Sequence, residues 1–256
     1  GRGLDFKVGT YQVRVNTPTV EDLHDQVRAR LSSGQGFALA TLNLDHLVKL
    51  RTSKPFQAAY AAQDIVVADG NPIVWLSKIA GEPVELIPGS DAIIPLCRIA
   101  GQVGAPVGLV GSTDDTLKAA AAYLERQVEG LKVVSTIAPP FGFDPKGADA
   151  EAILKDLQSA GVRLCFIALG APKQEEFAAK GRDVTPEIGF ASIGAGLDFF
   201  SGAQERAPAW VRKIAMEWLW RTLGQPARMV PRYAKCFGIL PGHALRAAMQ
   251  RMGLGR

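Results

Sequence analysis

Leu164-Cys165-Phe166-Ile167-Ala168-Leu169-Gly170-Ala171-Pro172-Lys173-Gln174-Glu175-Glu176 holds the fold in miniature. An unbroken apolar run ending in glycine reads as a strand buried on both faces. Pro172 suits a helix start, which puts Lys173, Gln174 and Glu175 in a helical first turn. Acids are favoured there, because the N–H groups are free and the dipole is positive. Lys and Gln are poor choices for stability at that place, so a binding role is favoured for Gly170, Lys173, Gln174 and Glu175.

The same strand-then-helix unit repeats outward in both directions. Candidate strands are Tyr11–Val15, Phe37–Leu42, Ile65–Ala68, Val84–Ile87, Val107–Val110, Val133–Ile137, Leu164–Leu169 and Ile188–Ile193. Between them, Thr19–Leu31 places Val20, Leu23, Val27 and Leu31 at helical spacing. Asp114–Val128 follows Ser112 and Thr113, either of which can cap it, and Ala148–Ser159 is similar. Regular alternation predicts an α/β fold: a Rossmann-like, mostly parallel sheet with helices on both faces.

Composition excludes several classes. The chain has 256 residues, 47% hydrophobic and 21% charged, which suits a globular domain with a substantial core and not a disordered chain. No stretch approaches the roughly 18 apolar residues of a membrane-spanning helix, and Gly1–Lys7 shows no secretory signal pattern. Cys97, Cys165 and Cys236 are too widely spaced for a zinc site or a disulfide framework, and read as buried thiols. His24, His46 and His243 are equally scattered, so no structural metal is expected.

The net charge of +4 is unevenly distributed. Residues 1–203 carry 19 basic and 23 acidic side chains, whereas residues 204–256 carry 10 basic and 2 acidic. This predicts a catalytic body over 1–203 and a basic, helical C-terminal appendage over 204–256. In the appendage, a helix is expected from Pro208 to about Leu223, broken at Gln225-Pro226. A second is expected to open at Pro231 and to be interrupted at Pro241. Trp210, Trp218 and Trp220 lie on a wide apolar arc beside a Lys213, Glu217 and Arg221 stripe. Two readings stand: a helix wedged between body and tail, or one that also meets lipid or a partner.

Ligands of such sheets bind at the carboxyl ends of the strands, which directs attention to the residues just after them. Thr41 and Asn43 offer short donors and acceptors, or Asn43 caps a helix. In Asp69-Gly70-Asn71-Pro72, Asp69 is a candidate general base, or it caps the helix that starts near Pro72. Gly89-Ser90-Asp91 presents N–H groups to an anion, or forms a plain turn and cap. Gly108 to Gly111 resembles a nucleotide-binding turn but lacks the dinucleotide spacing and a Walker lysine. No Asp-x-Asp at a strand end, no Gly-x-Ser-x-Gly elbow and no Cys/His pair suggests metal-assisted or nucleophilic chemistry. If the ligand is a nucleotide diphosphate, the arginines of the tail, Arg206, Arg212, Arg221, Arg228 and Arg232, are the obvious supply of charge-assisted contacts.

Taken in order, these motifs resemble the WecG/TagA/CpsF family of bacterial glycosyltransferases (glycosyltransferase family 26). The matching positions run from Thr41 and Asn43 through Asp69-Gly70, Gly89-Ser90-Asp91, Gly108–Gly111 and Phe141-Gly142-Phe143. They continue through Gly170–Glu175, Gly194 to Asp198-Phe199, Arg206-Ala207-Pro208, Trp210, Glu217-Trp218, Arg221 and Arg232-Tyr233. The resemblance implies an inverting, metal-independent hexosyl- or N-acetylhexosaminyltransferase without a cofactor. Such an enzyme moves a sugar from a UDP-sugar to a polyprenyl-diphosphate-linked sugar, in bacterial surface or extracellular polysaccharide synthesis.

By motif, Asp69 would be the base. Thr41, Asn43, Gly70, Gly89, Ser90, Asp91, Gly111, Phe143, Gly170, Lys173, Gln174 and Glu175 would line the substrate site. Arg206, Arg221, Arg228 and Arg232 would meet the diphosphate. The enzyme would sit on the inner face of the cytoplasmic membrane, with no nucleic-acid partner and with a homo-oligomer allowed. Pro72 departs from the pattern where a second glycine is usual, as do Ala227 and Pro231 where arginines are usual.

Two rivals come from other classes. A Rossmann-type oxidoreductase is disfavoured by the missing fingerprint and by the lack of a suitably placed acid after Gly111. A binding module with a basic tail lacks any nucleic-acid motif.

Overall fold

The computed structural model describes residues 3–201 and 226–252, and the side chains of all these except 201 and 226–238. Leu4–Val8 (β1) and Tyr11–Val15 (β2) pair as an antiparallel hairpin. There follow α1 (Val20–Ser33), β3 (Phe37–Leu42), α2 (Leu44–Leu50), α3 (Lys54–Ala61), β4 (Ile65–Ala68), α4 (Asn71–Ala80) and α5 (Gly89–Val103). The second half continues with β5 (Val107–Gly111), α6 (Asp114–Gln127), β6 (Val133–Ile137), α7 (Ala148–Ser159), β7 (Leu164–Ala168), α8 (Lys173–Val184) and β8 (Gly189–Ser192). A 3₁₀ turn, Gly194–Leu197, leads into α9 (Asp198–Ser201), and α10 spans Pro226–Arg251. No described helix is long and apolar enough to cross a membrane.

Strands β3 to β8 form one wholly parallel sheet in the order β4-β3-β8-β7-β5-β6. The period of two along each strand sorts its side chains onto two faces. Phe37, Leu39, Ile65, Val67, Leu109, Phe166 and Ala191 pack against apolar residues of α1, α5 and α6. On the other face, Ala40, Leu42, Val66 and Ala68 meet the hairpin, α2, α3 and α4. Val110, Cys165, Ile167 and Phe190 meet α7 and α8. Each fully buried Phe or Leu contributes roughly 1.5–3 kcal/mol over its exposed state. Continuous burial on both faces therefore fixes the sheet and the level at which its strands end.

The expected α/β class holds, three local expectations change, and one open choice is resolved. Val84–Ile87 is not a strand: it makes a single parallel bridge, Ala68 to Leu86. Val84 and Ile87 are buried, so their apolar signal reports side-chain anchoring. Pro83 and Pro88 flank the segment and cannot donate to a ladder. Tyr11–Val15 lies in the separate hairpin and not in the main sheet. The expected break at Pro241 is absent, since one helix runs through Pro231 and Pro241 from Pro226. Docking supports it there: Ile239, Leu240, Ala244 and Ala247 pack on the same cluster as the hairpin and α4. The His243 ring meets Phe6 edge-on at 5.6 Å, and Arg246 Nη1 donates to the Lys7 carbonyl at 2.6 Å. Finally, Thr113 caps α6, accepting from Thr116 N–H at 3.2 Å, while Ser112 turns away at φ 57°.

The boundary expected between residues 203 and 204, the helix expected from Pro208 to Leu223 and its three tryptophans lie outside the described residues. Cys97 and Cys165 are buried free thiols, as expected, and burial pushes the Cys97 thiol up to about 12.

Candidate active site

Strand register decides which residues meet. Leu42 pairs with Ala68 and the Asp69 N–H donates to the Leu42 carbonyl at 2.9 Å, so Asn43 and Asp69 leave the sheet side by side. Asp69 is half-buried. Asp69 stands one residue before the N-cap of the following helix: α4 begins at Asn71 with Gly70 at its N-cap.

Asn43 does cap. Its side-chain oxygen accepts from His46 N–H at 2.9 Å, and its own N–H donates to His46 Nδ1 at 3.2 Å. This capping box opens α2. It uses the carbonyl end of the Asn43 amide; no bond to its NH₂ group is present among the described residues. Behind it, Tyr60 on α3 donates its hydroxyl to the Thr41 carbonyl at 2.6 Å, with His46 Nδ1 at 3.1 Å. Burial, reinforced by the Glu175 and Asp69 charges, holds the Tyr60 phenol well above its usual range. The Tyr60 hydroxyl is therefore a neutral donor that fixes the end of β3. His46 and Tyr60 were not singled out from the sequence. The available signal was His46 three residues beyond the N-cap Asn43, the spacing of a capping box.

On the other side of β3 lie β8 and β7. The Gly194 N–H at the end of β8 donates to Gln174 Oε1 at 2.9 Å. Gln174 Nε2 donates to Glu175 Oε1 at 3.3 Å. Both residues sit in the first turn of α8 and are buried, whereas Lys173 beside them is exposed. Gly89, the first residue of α5, presses against the same turn: a Cβ there would stand 3.1 Å from the Ile193 Cα. Any larger residue would have to push that backbone back by a few tenths of an ångström. A Cβ on Gly196 would likewise meet the Ser90 Cα at 3.2 Å. The Gly194–Leu197 turn therefore joins the starts of α5 and α8.

At the end of β5, Gly111 (φ 118°) has no room for a side chain, since a Cβ would lie 2.3 Å from the Ala168 carbonyl oxygen. Ser112 Oγ then donates to Asp198 Oδ1 at 3.3 Å.

Most of the sequence-predicted residues thus gather along one edge. Thr41, Asn43, Asp69 and Gly70 lie at the ends of β3 and β4. Gly89, Ser90 and Asp91 open α5, Gly111 ends β5, and Gly170, Lys173, Gln174 and Glu175 follow β7. Phe143 is 4% exposed and meets Phe177 at 6.0 Å in the core beneath α7 and α8. The exposed ring of that loop is Phe141. Arg228 and Arg232 fall on α10 where side chains are not described, and Arg206 and Arg221 lie outside the described residues.

The fold is that of a doubly wound α/β protein, a class whose ligands bind at the carboxyl ends of the strands, where these residues gather. Fold alone does not assign chemistry; the family does. Residues 8–255 match the Glycosyl transferase WecG/TagA/CpsF family, and the chain belongs to that family. It is accordingly a glycosyltransferase of cell-surface polysaccharide synthesis, which sets aside the oxidoreductase and binding-module readings.

Proposed function

We propose that the enzyme transfers a hexosyl or N-acetylhexosaminyl group, with inversion and without a metal, from a UDP-sugar to a polyprenyl-diphosphate-linked sugar. The observation that carries this reading is the place of Asp69: half-buried, and delivered by the end of β4 beside Asn43. Asp69 accepts the proton of the acceptor hydroxyl as that oxygen bonds to the anomeric carbon. UDP leaves from the opposite face with the bonding electron pair, which inverts the centre. Thr41, Asn43 and Gln174 orient the sugars.

The departing diphosphate needs positive charge where its own charge develops. The uncapped N-termini of α5 and α8 meet at the Gly194 turn and offer N–H dipoles. Arg206, Arg221, Arg228 and Arg232 supply cations from the tail. The excess of basic residues after 203 and the lipid-linked acceptor support a peripheral position on the inner face of the cytoplasmic membrane.

The test is Asp69→Asn, with transfer read by mass of the lipid-linked product across a panel of UDP-sugars, in EDTA throughout. Transfer is expected to fall about 10²–10⁴-fold, the usual contribution of a positioned base, while UDP still binds by calorimetry. Wild-type turnover in the variant would refute the base assignment. A strict need for added Mg²⁺ would refute the metal-free step.

A further inference from the structure

Gln174 is one of the orienting residues of the proposed transferase site, and the inference below rests on that reading. Among the described residues, Glu175 is the only acid in the buried class, at 1% exposure. Its Oε1 accepts from Gln174 Nε2 at 3.3 Å; its Oε2 is buried with no hydrogen-bond partner among the described residues. The other end of the same Gln174 amide accepts from Gly194 N–H at 2.9 Å. An amide has one accepting end and one donating end, so tying the NH₂ to Glu175 aims the oxygen at the turn. We infer that Glu175 is a positioning residue: its buried carboxyl sets which way the Gln174 amide faces, and through it holds the Gly194 turn that joins the starts of α5 and α8.

The surroundings favour the neutral acid. Gln63 Nε2 donates to the Glu175 backbone carbonyl at 3.3 Å, and Gln63 Oε1 is itself buried without a donor among the described residues. Ionised Glu175 would add acceptors where acceptors already exceed donors; the neutral carboxyl brings a donor. Burial pushes Glu175 up to about 7; its hydrogen bonds and the Lys49 ammonium on α2 oppose the shift, and Glu176 on its own helix reinforces it. Tyr60 faces it from α3 and is uncharged. Strands β3 and β8 carry no ionisable side chain, and β7 carries only Cys165, whose thiol burial raises. Helix α7 contributes the apolar Ala150, Ile153, Leu154 and Leu157 to the cluster it shares with α8. The carboxylate form keeps the bond to Gln174 but is an uncompensated buried charge. Its relief is local opening toward water, which loosens the turn.

The sign follows from linkage. The folded-state value lies above the unfolded one, so this stabilisation is complete below about 4.5 and is lost as pH rises toward about 7. Three measurements test the inference. In ¹³C-carboxyl NMR of the wild-type protein, one glutamate should titrate near 7 and be missing from Glu175→Gln. In amide exchange, Glu175→Leu should raise the Gly194 rate about tenfold, the loss of one net hydrogen bond, and Glu175→Gln should restore it. In pH profiles, wild-type Gly194 exchange, corrected for its intrinsic pH dependence, should rise through pH 7, and transfer should fall there; both should be level in Glu175→Gln.

A Glu175 carboxyl titrating at its ordinary value, or Gly194 exchange unchanged in Glu175→Leu, overturns the inference. If Glu175→Leu does not fold, the wild-type titration and the wild-type Gly194 profile decide. Failure of the protein to bind UDP or to transfer sugar would count against the transferase reading and leave the Gly194 result standing.

Discussion

Removing the single hydroxyl of Tyr60 isolates the support of the site from its chemistry. In Tyr60→Phe the ring keeps its edge-on contact with Phe56, 4.9 Å between centroids. What is lost is one donor. His46 Nδ1 already accepts from the Asn43 N–H, which leaves the His46 proton on Nε2 and sends the phenolic hydrogen to the Thr41 carbonyl, 2.6 Å away. A net buried hydrogen bond contributes about 0.5–1.5 kcal/mol, and stranding a buried partner costs about 1–3 kcal/mol. Thr41 is 8% exposed, so water reaches the stranded carbonyl poorly and the loss should be about 2 kcal/mol. In a chain of this length each 1 kcal/mol moves Tm by about 2–4 °C, giving a fall of about 4–8 °C. Calorimetric melts of wild type and variant measure it, with UDP titration alongside. A Tm within about 1 °C of wild type would refute the buried bond. A loss of transfer as deep as that of Asp69→Asn, at unchanged Tm, would show that the phenol takes part in the reaction.

Three further outcomes are expected. Gly111→Ala combines a positive φ with a Cβ 2.3 Å from the Ala168 carbonyl oxygen. It should lose more than about 3 kcal/mol, at or beyond the top of the range for backbone strain, and a urea midpoint near wild type would contradict the packing. Truncation before Gln204 should abolish transfer and release the protein from anionic vesicles. It should also lower Tm, because α10 covers the apolar face of α4 and the hairpin; a truncated chain that still sediments with vesicles refutes the membrane role of the tail. Burial lowers His243 to about 4, with Arg246 and Arg51 adding to the shift. The folded-state value is depressed, so the stability linked to His243 is present above about 6.5 and lost as pH falls toward 4. Amide exchange along α10, corrected for its intrinsic pH dependence, should therefore speed up over that range in wild type and stay level in His243→Leu.

Much of the sheet was legible because burial on both faces leaves an apolar run that glycine or proline punctuates. Ile65–Ala68 and Val133–Ile137 appear with the bounds read from the sequence. The same logic failed for Val84–Ile87, where burial of two side chains mimics a strand. The first strand was overlooked although Leu4, Phe6 and Val8 alternate with Asp5 and Lys7 before Gly9, a hairpin signal on a half-buried strand. The run of α10 through two prolines was illegible for a different reason. Local propensity forbids it, and only the docking of residues 239–247 against distant parts of the chain offsets that. At the site, sequence located the strand ends but could not choose between cap and ligand group. Asn43 stands at an N-cap and Asp69 one residue before one, and the difference is whether the helix opens one residue or two beyond the side chain.

That choice recurs across the crevice. Helices α2 and α6 open at the carboxyl edge with side-chain caps, Asn43 and Thr113. Helices α4, α5 and α8 open there without one, as does α7 after a longer loop. A residue that cannot accept there costs a helix start roughly 0.5–2 kcal/mol against Ser, Thr, Asp or Asn, but a glycine such as Gly70 only a few tenths. Of these four, α4, α5 and α8 are tied to the candidate site: α4 follows Asp69, and α5 and α8 meet at the Gly194 turn. A side chain capping α5 or α8 would add stability but occupy N–H groups that the proposed reaction turns toward its leaving diphosphate. On this argument, the family motifs Gly89-Ser90-Asp91 and Gly170-Ala171-Pro172 matter for the caps they omit as much as for the groups they present.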